Sequence, residues 1–271
     1  MAETLRIGVG GAGGRMGLAV CELARATPEV ALAARFSRPG VKDDQHPAFS
    51  DMTQALRASD VVVDFSTPEA TVALARAASA VGGAALVLGA TGLSEMQEAD
   101  VAEAAARLPI VRSGNFSLGI NLLAALVRRA AAALPARDWD IEIIEAHHRR
   151  KLDAPSGTAL MLGEAASDGR GGAERLPPRD GVTGQRPPGP VGYAVVRGGG
   201  IVGEHSVIFA AEEEILTLSH SARDRRLFAR GALIAALWVH GRPPGLYGMA
   251  DVLGLETQTP VEPKPPAPRA V

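Results

Sequence analysis

The sequence predicts an α/β protein: a doubly wound parallel sheet comes first, followed by an α+β unit built on an open mixed sheet. Three observations carry this. A strand-like run from Leu5 to Gly10 passes through a glycine-rich turn straight into a helical pattern. Short apolar runs then alternate with helical segments as far as Ser117, the rhythm of a parallel sheet covered on both faces. From Val191 onward, strand-like segments follow one another without helices between them, which suits a mixed or antiparallel sheet.

Bulk properties narrow the function. A chain of 271 residues can bury a core in one large or two modest domains. A net charge of -2 with 21% charged residues supplies no basic field for nucleic acid, and 4% aromatic residues argue against base-stacking surfaces. One cysteine, Cys21, excludes an internal disulfide framework, and its place within the first helix suits a small core residue. No secretory leader is visible, and no apolar run reaches the roughly 20 residues that span a bilayer. The expectation is a soluble cytoplasmic protein with neither nucleic-acid nor membrane partners.

The first strand leads into Gly11, Ala12, Gly13, Gly14, Arg15, Met16 and Gly17, and a helix follows through Leu18, Val20, Leu23 and Ala24. Strand, glycine turn and helix together give a dinucleotide fingerprint its meaning: backbone amides approach a pyrophosphate while the helix N-terminus supplies donors and partial positive charge. A Rossmann-like unit is therefore expected. Its second strand runs from Val30 to Phe36, and the position that reads the adenosine ribose is occupied by Ser37 and Arg38 rather than by an acid. A guanidinium suits a 2′-phosphate, which tilts the cofactor toward NADPH and leaves NADH possible. A short helix over 51–58 precedes a strand over Val61 to Phe65. Ser66, Thr67, Pro68 and Glu69 read as a capping box with Ser66 as the cap. Ala84 to Leu88 is the next strand, then Gly89 to Gly92, a helix opened by Ser94 and Gln97, and a strand over Pro109 to Arg112 leading into Ser113 to Ser117. Loops at the carboxyl ends of such strands converge on one crevice.

The pattern changes after Ser117. Ile120 to Leu134 is an apolar-faced helix, and Trp139 to Glu145 alternates as a half-buried strand. Asp168 to Pro190, rich in Gly, Pro and Arg, reads as a long mobile loop. Strands follow at 191–197, 204–210 and 214–220, with an exposed sheet face expected to join subunits. Arg226 to His240 and Gly248 to Leu253 turn helical again and are expected to rejoin the first unit. The predicted domains are 1–117 with 229–256 for the dinucleotide, 118–228 for substrate and oligomerisation, and a disordered proline-rich tail at 257–271.

The chemistry concentrates between Glu145 and Thr158. His147, His148, Arg149, Arg150, Lys151 and Asp153 precede Pro155, Ser156, Gly157 and Thr158, which head an apolar helix. Backbone N–H groups of Gly157 and Thr158, the Thr158 hydroxyl and the helix dipole offer an anion site, with His148 and Lys151 just upstream. His147, one residue away, points to the opposite side if the strand continues. A histidine and a lysine beside a helix N-terminus provide a general acid, a charge stabiliser and a carboxylate clamp. A basic surface patch and a plain helix cap compete with this reading. Zinc binding lacks paired ligand spacing. His205 and His220 lie in strand-like segments and read as structural, with His205 a candidate to face the site.

The run from Glu145 to Thr158 closely resembles the signature of the 4-hydroxy-tetrahydrodipicolinate (dihydrodipicolinate) reductase family. Agreement extends to Gly11–Gly17, Asp64–Pro68, Gly89 with Thr91 and Gly92, Asn115–Ser117, Val202–His205 and Ala236–Trp238. The resemblance implies an NAD(P)H-dependent oxidoreductase of the diaminopimelate route to lysine, acting on a small dicarboxylate and forming a homotetramer through its C-terminal sheets. By the same resemblance, His147 is the acid/base and Lys151 the proton donor, while His148, Gly157 and Thr158 contact substrate. Gly11 to Met16, Gly89, Ala90 and Thr91, and Ser113, Gly114, Asn115 and Phe116 contact the cofactor. Two positions depart from the family pattern: Ser37 replaces an acidic ribose reader, and Ala90 stands where threonine is frequent. No metal is implied. A non-catalytic dinucleotide sensor would have no need of His147 and Lys151, and an aspartate-semialdehyde dehydrogenase would need a cysteine in the cleft, where Cys21 does not lie.

Overall fold

The computed structural model describes residues 4–37 and 51–255. Arg38 and the proline-rich tail lie outside the described residues. Among those described, no helix is long and apolar enough to cross a membrane.

The first unit alternates as expected: β1 (Leu5–Gly10), α1 (Arg15–Arg25), β2 (Val30–Phe36), α2 (Met52–Ala58), β3 (Val61–Asp64), α3 (Pro68–Val81), β4 (Ala85–Leu88), α4 (Glu95–Ala105) and β5 (Pro109–Arg112). The strands lie in the order β5-β4-β3-β1-β2, all parallel. Their apolar runs are continuous because both faces are covered. Ile7, Val9, Val61, Val63, Val87 and Val111 face the layer that contains α1, whereas Val62, Leu86, Leu88 and Ile110 face the layer of α2, α3 and α4. Cys21 is buried in the first of these cores.

Local capping sets the helix starts. Asp51 and Ser94 each close a capping box, with Gln54 and Gln97. The expected cap at Ser66 moves by one residue. Thr67 caps α3, while the Ser66 hydroxyl donates at 2.9 Å to the carboxylate of Asp64, which also accepts from Thr71 at 2.6 Å. A buried carboxylate at the end of β3 outcompetes a solvated helix end for that hydroxyl.

The second unit comprises α5 (Leu118–Ala133), β6 (Asp140–His147), α6 (Gly157–Gly169), β7 (Val191–Arg197), β8 (Gly203–Ala210) and β9 (Ile215–Ala222). Its sheet has the order β7-β6-β8-β9, with β6 parallel to β7 and antiparallel to β8, so it is mixed. Helices α5 and α6 cover one face, where Ile141, Ile143, Val191, Val207 and Phe209 meet Ile120, Leu123 and Leu162. The long loop between α6 and β7 is tied down rather than loose. Arg186 reaches Asp140 at 2.5 Å, Glu142 at 2.8 Å and the carbonyl of Pro190 at 2.6 Å, while the Leu176 N–H donates to the Val191 carbonyl and the Val191 N–H to that of Glu174. Arginine, which read as loop composition in the sequence, is the anchor.

The chain then returns through α7 (Arg226–Val239), β10 (Gly245–Tyr247) and α8 (Met249–Leu253). Ala229, Ala232, Leu233 and Ala236 of α7 and Met249 of α8 join the core beside α1. β10, which has no clear strand pattern, extends the parallel sheet beyond β5. Its three residues are too few for periodicity to reveal.

Candidate active site

β6 delivers the central residues. With Ile141 and Ile143 turned toward the helices, the two-residue period places Glu145 and His147 on the same buried face. Glu145 is 1% exposed and nonetheless charged. It accepts from both guanidinium nitrogens of Arg197 at 2.7 and 2.8 Å, from His147 Nδ1 at 2.6 Å and from the Ser156 backbone N–H at 2.9 Å. Burial pushes this carboxyl up, but the bonds from Arg197, His147 and Ser156 outweigh it and hold the group at about 2.

His205 of β8 stacks edge-on against His147, with ring centroids 5.1 Å apart, and its Nε2 lies 3.1 Å from the Ser156 hydroxyl. Burial first, then the His147 charge, push His205 down to about 4, so it is neutral at pH 7. Ser156 is the cap of α6, its oxygen accepting from the Ala159 N–H at 3.2 Å. Helix start, neutral histidine and buried carboxylate therefore form one network.

The cations lie on the solvent side. Lys151 pairs with Asp153 at 3.0 Å, and its N–H closes a turn onto the His148 carbonyl at 3.1 Å. Burial raises the Asp153 carboxyl, but the bond from Lys151, a backbone bond and the charges of Lys151 and Arg197 together hold it below its ordinary value. β6 ends at His147, so the strand alternation does not carry through His148, whose Nε2 lies 3.0 Å from the guanidinium of Arg225. Desolvation first, then the Arg225 charge, depress His148, which leaves it a neutral hydrogen-bonding group. At the head of α6 the space beside Gly157 is open. Thr158 Oγ1 accepts from Asn115 Nδ2 at 3.0 Å, a bond that joins the second unit to the loop after β5.

That loop is itself braced. The Ser113 hydroxyl both donates to the Asn115 carbonyl and accepts from the Asn115 N–H, and Asn121 of α5 holds the carbonyls of Asn115 and Ser117 at 2.8 and 2.7 Å. Phe116 is buried and meets Phe65 edge-on at 5.6 Å, and the Phe65 ring lies over Gly89. Ala90 is buried and Thr91 exposed.

The glycine turn after β1 has the shape the sequence predicted. Gly11 adopts φ +66°, and its carbonyl accepts from the Gly14 N–H at 2.8 Å. That carbonyl sits so close over Gly17 that a side chain there would collide with it. Gly14 caps α1 with no side-chain bond, and no acid occupies the first turn. The amides there remain open to an anion, with exposed Arg15 and half-buried Met16 alongside. These residues fit a dinucleotide pyrophosphate. Ala12 is buried. The Ser37 hydroxyl accepts from the Gly13 N–H at 3.1 Å, so it braces the loop.

Sequence reasoning passed over Arg197 and Arg225 and treated Glu145 only as a strand end. A signal for Glu145 was present, since its place in the alternation with Ile141 and Ile143 puts an acid in the core, where it requires a cation. Nothing in the spacing says which arginine supplies it. Among the described residues no cluster of three His, Cys, Asp or Glu side chains is placed to hold a metal.

Known proteins place this geometry in context. Residues 5–116 match the family model described as "Dihydrodipicolinate reductase, N-terminus", and residues 119–253 match "Dihydrodipicolinate reductase, C-terminus". The chain is 58% identical to the 4-hydroxy-tetrahydrodipicolinate reductase of Caulobacter vibrioides, over 94% of this chain and 100% of the relative. It is 50% identical to that of Rhizobium rhizogenes, over 94% and 99%. In fold it is similar to a dipicolinate-bound dihydrodipicolinate reductase from a Paenisporosarcina species, with a TM-score of 0.77, 24% identity, and coverage of 92% of this chain and 99% of that one.

Proposed function

The chain belongs to the dihydrodipicolinate reductase family, an oxidoreductase family of the diaminopimelate route to lysine, and from that premise we propose how its cleft works. The reaction is the reduction of 4-hydroxy-tetrahydrodipicolinate to tetrahydrodipicolinate: one hydride and one proton enter and one water leaves. Gly11 to Met16, Gly89, Ala90, Thr91 and the loop Ser113 to Phe116 would hold a dinucleotide, which would supply the hydride.

The chain's own residues do the rest. Gly157, Thr158 and His148 grip one carboxylate through backbone amides, a hydroxyl and a neutral imidazole. Hydride addition leaves negative charge on the ring, which Lys151 stabilises and which His147 or Lys151 protonates. The hydrogen bond from Asn115 to Thr158 carries this reading, because it sets the carboxylate grip directly against the cofactor loop. The preferred reductant is NADPH, on the argument that Arg38 suits a 2′-phosphate while no acid occupies the ribose position.

Residues 1–117 with 229–256 form the dinucleotide-binding domain and 118–228 the substrate domain, a division supported by the packing of α7 and α8 on the parallel sheet. The subunits assemble as a tetramer through the face of the mixed sheet that no helix covers. That face carries Ile144 at 39% and Val196 at 48% exposure, high for large aliphatic side chains. The test couples the preceding synthase to this protein and follows NADPH absorbance. The wild type oxidises NADPH, and Lys151→Ala lowers kcat by at least ~100-fold. No oxidation by the wild type defeats the assignment, and equal or better efficiency with NADH defeats the cofactor preference.

A further inference from the structure

We propose that Glu145, clamped by Arg197, is a positioning residue that holds the proton of His147 on Nδ1 and so commits Nε2 to proton exchange with the substrate. The inference rests on the reading of His147 as a proton handler. It adds which nitrogen works and what sets it.

Three observations converge. First, the 2.6 Å contact engages Nδ1 with an acceptor that has no proton to give, so Nδ1 carries the hydrogen. Second, Nε2 makes no hydrogen bond among the described residues and is not sealed from solvent by them, and the His147 side chain keeps 11% exposure. Third, Gly203 of β8 flanks that nitrogen. A Cβ there would lie 3.1 Å from Nε2, so the absent side chain keeps the approach open.

Arg197 completes the arrangement from β7, where Arg197 is the Cα partner of His147. Its two bonds and charge keep the Glu145 carboxylate in the core as an acceptor facing Nδ1. The other groups around His147 are Lys151, His148 and neutral His205, none of which offers Nδ1 a negative partner. Glu145 also holds the Ser156 N–H at the cap of α6, so one carboxylate sets the registry of both the acid and the carboxylate grip.

The test begins with the wild type, which requires no substitution. In protein labelled with ¹⁵N-histidine, His147 in its neutral state shows the Nδ1–H tautomer, with Nε2 unprotonated. A Nε2–H tautomer overturns the proposal. In the folded Glu145→Gln variant the negative charge is gone, so the alkaline limb of the kcat profile, where the acid loses its proton, moves to lower pH by about one unit. At pH values above the wild-type limb kcat then falls roughly tenfold. An unmoved limb overturns the proposal even if KM rises, since a rise in KM alone reports only the Ser156 bond. If Glu145→Gln does not fold, the wild-type tautomer decides. Wild-type kcat in His147→Gln removes the premise, a failure distinct from that of the tautomer.

Discussion

At the scale of single residues, burying an ion such as Glu145 costs several kcal/mol unless its partners replace water fully. Here Arg197, His147 and Ser156 do so, and the price appears as acid sensitivity. The carboxyl is depressed from 4.5 to about 2 in the folded chain, so its contribution to stability is complete above 4.5 and is lost as pH falls toward 2. His205, depressed from 6.5 to about 4, adds stability that is present above 6.5 and lost as pH falls through that window. The Glu145 contribution is about 3 kcal/mol on the scale of 1.36 kcal/mol per unit. Thermal unfolding followed by circular dichroism from pH 7 to pH 3 should show a decline in two stages. His205→Gln should flatten the stage between pH 6.5 and 4; an unchanged slope there would count against a buried neutral His205. A second prediction concerns Gly17, which lies beneath the Gly11 carbonyl. Gly17→Ala should weaken NADPH binding by at least ~10-fold through displacement of the loop, and calorimetry returning the wild-type Kd would contradict that account.

At the scale of elements, two helix caps of the same chemistry serve different ends. Ser94 closes an exposed capping box with Gln97, and Ser94→Ala should lower stability by about 1 kcal/mol with kcat and KM unchanged. Ser156 caps α6 while also bonding His205, and its N–H rests on Glu145. Ser156→Ala should cost more than the simple cap and should also raise KM for the dicarboxylate, because the amides of Gly157 and Thr158 lose their registry. Denaturant unfolding together with steady-state kinetics separates the two. Equal stability losses with unchanged KM would reduce Ser156 to an ordinary cap. The contrast between Ser66 and Thr67 makes the same point: the better-placed buried acceptor, Asp64, takes one hydroxyl and leaves the next to start α3.

At the scale of the whole molecule, contacts join the two units where α5 packs on α7 and α8 and where the loop after β5 meets α6. Asn115, braced by Ser113 and Asn121, is the one that bonds a proposed substrate residue. Asn115→Ala should raise KM for the substrate several-fold while leaving the melting temperature within a few degrees, since one side-chain bond of this kind contributes about 1 kcal/mol. An unchanged KM would mean that the bond does not shape the carboxylate grip. The helix-free face of the mixed sheet is the other feature at this scale. Ile144 sits on it between Ala194 and Ser206. Ile144→Lys should shift the mass measured by light scattering toward smaller species, whereas an unchanged mass would move the subunit contact elsewhere.

Much of this was legible in the sequence because it depends on local order. Alternating strand and helix patterns, the glycine turn, and the run from Glu145 to Thr158 are properties of neighbours along the chain, and they sufficed for the fold class and for naming the candidate site residues. What the sequence left open was pairing at long range. Arg197 lies 52 residues from Glu145, Arg225 lies 77 from His148, and Asn115 lies 43 from Thr158. Many arginines could have served Glu145, and the register of β6 against β7 selects Arg197. The sequence by itself determined the fold class and which chemical groups are candidates for the cleft. Tertiary structure decided which of them touch, because a buried charge takes the partner that packing brings within hydrogen-bond reach.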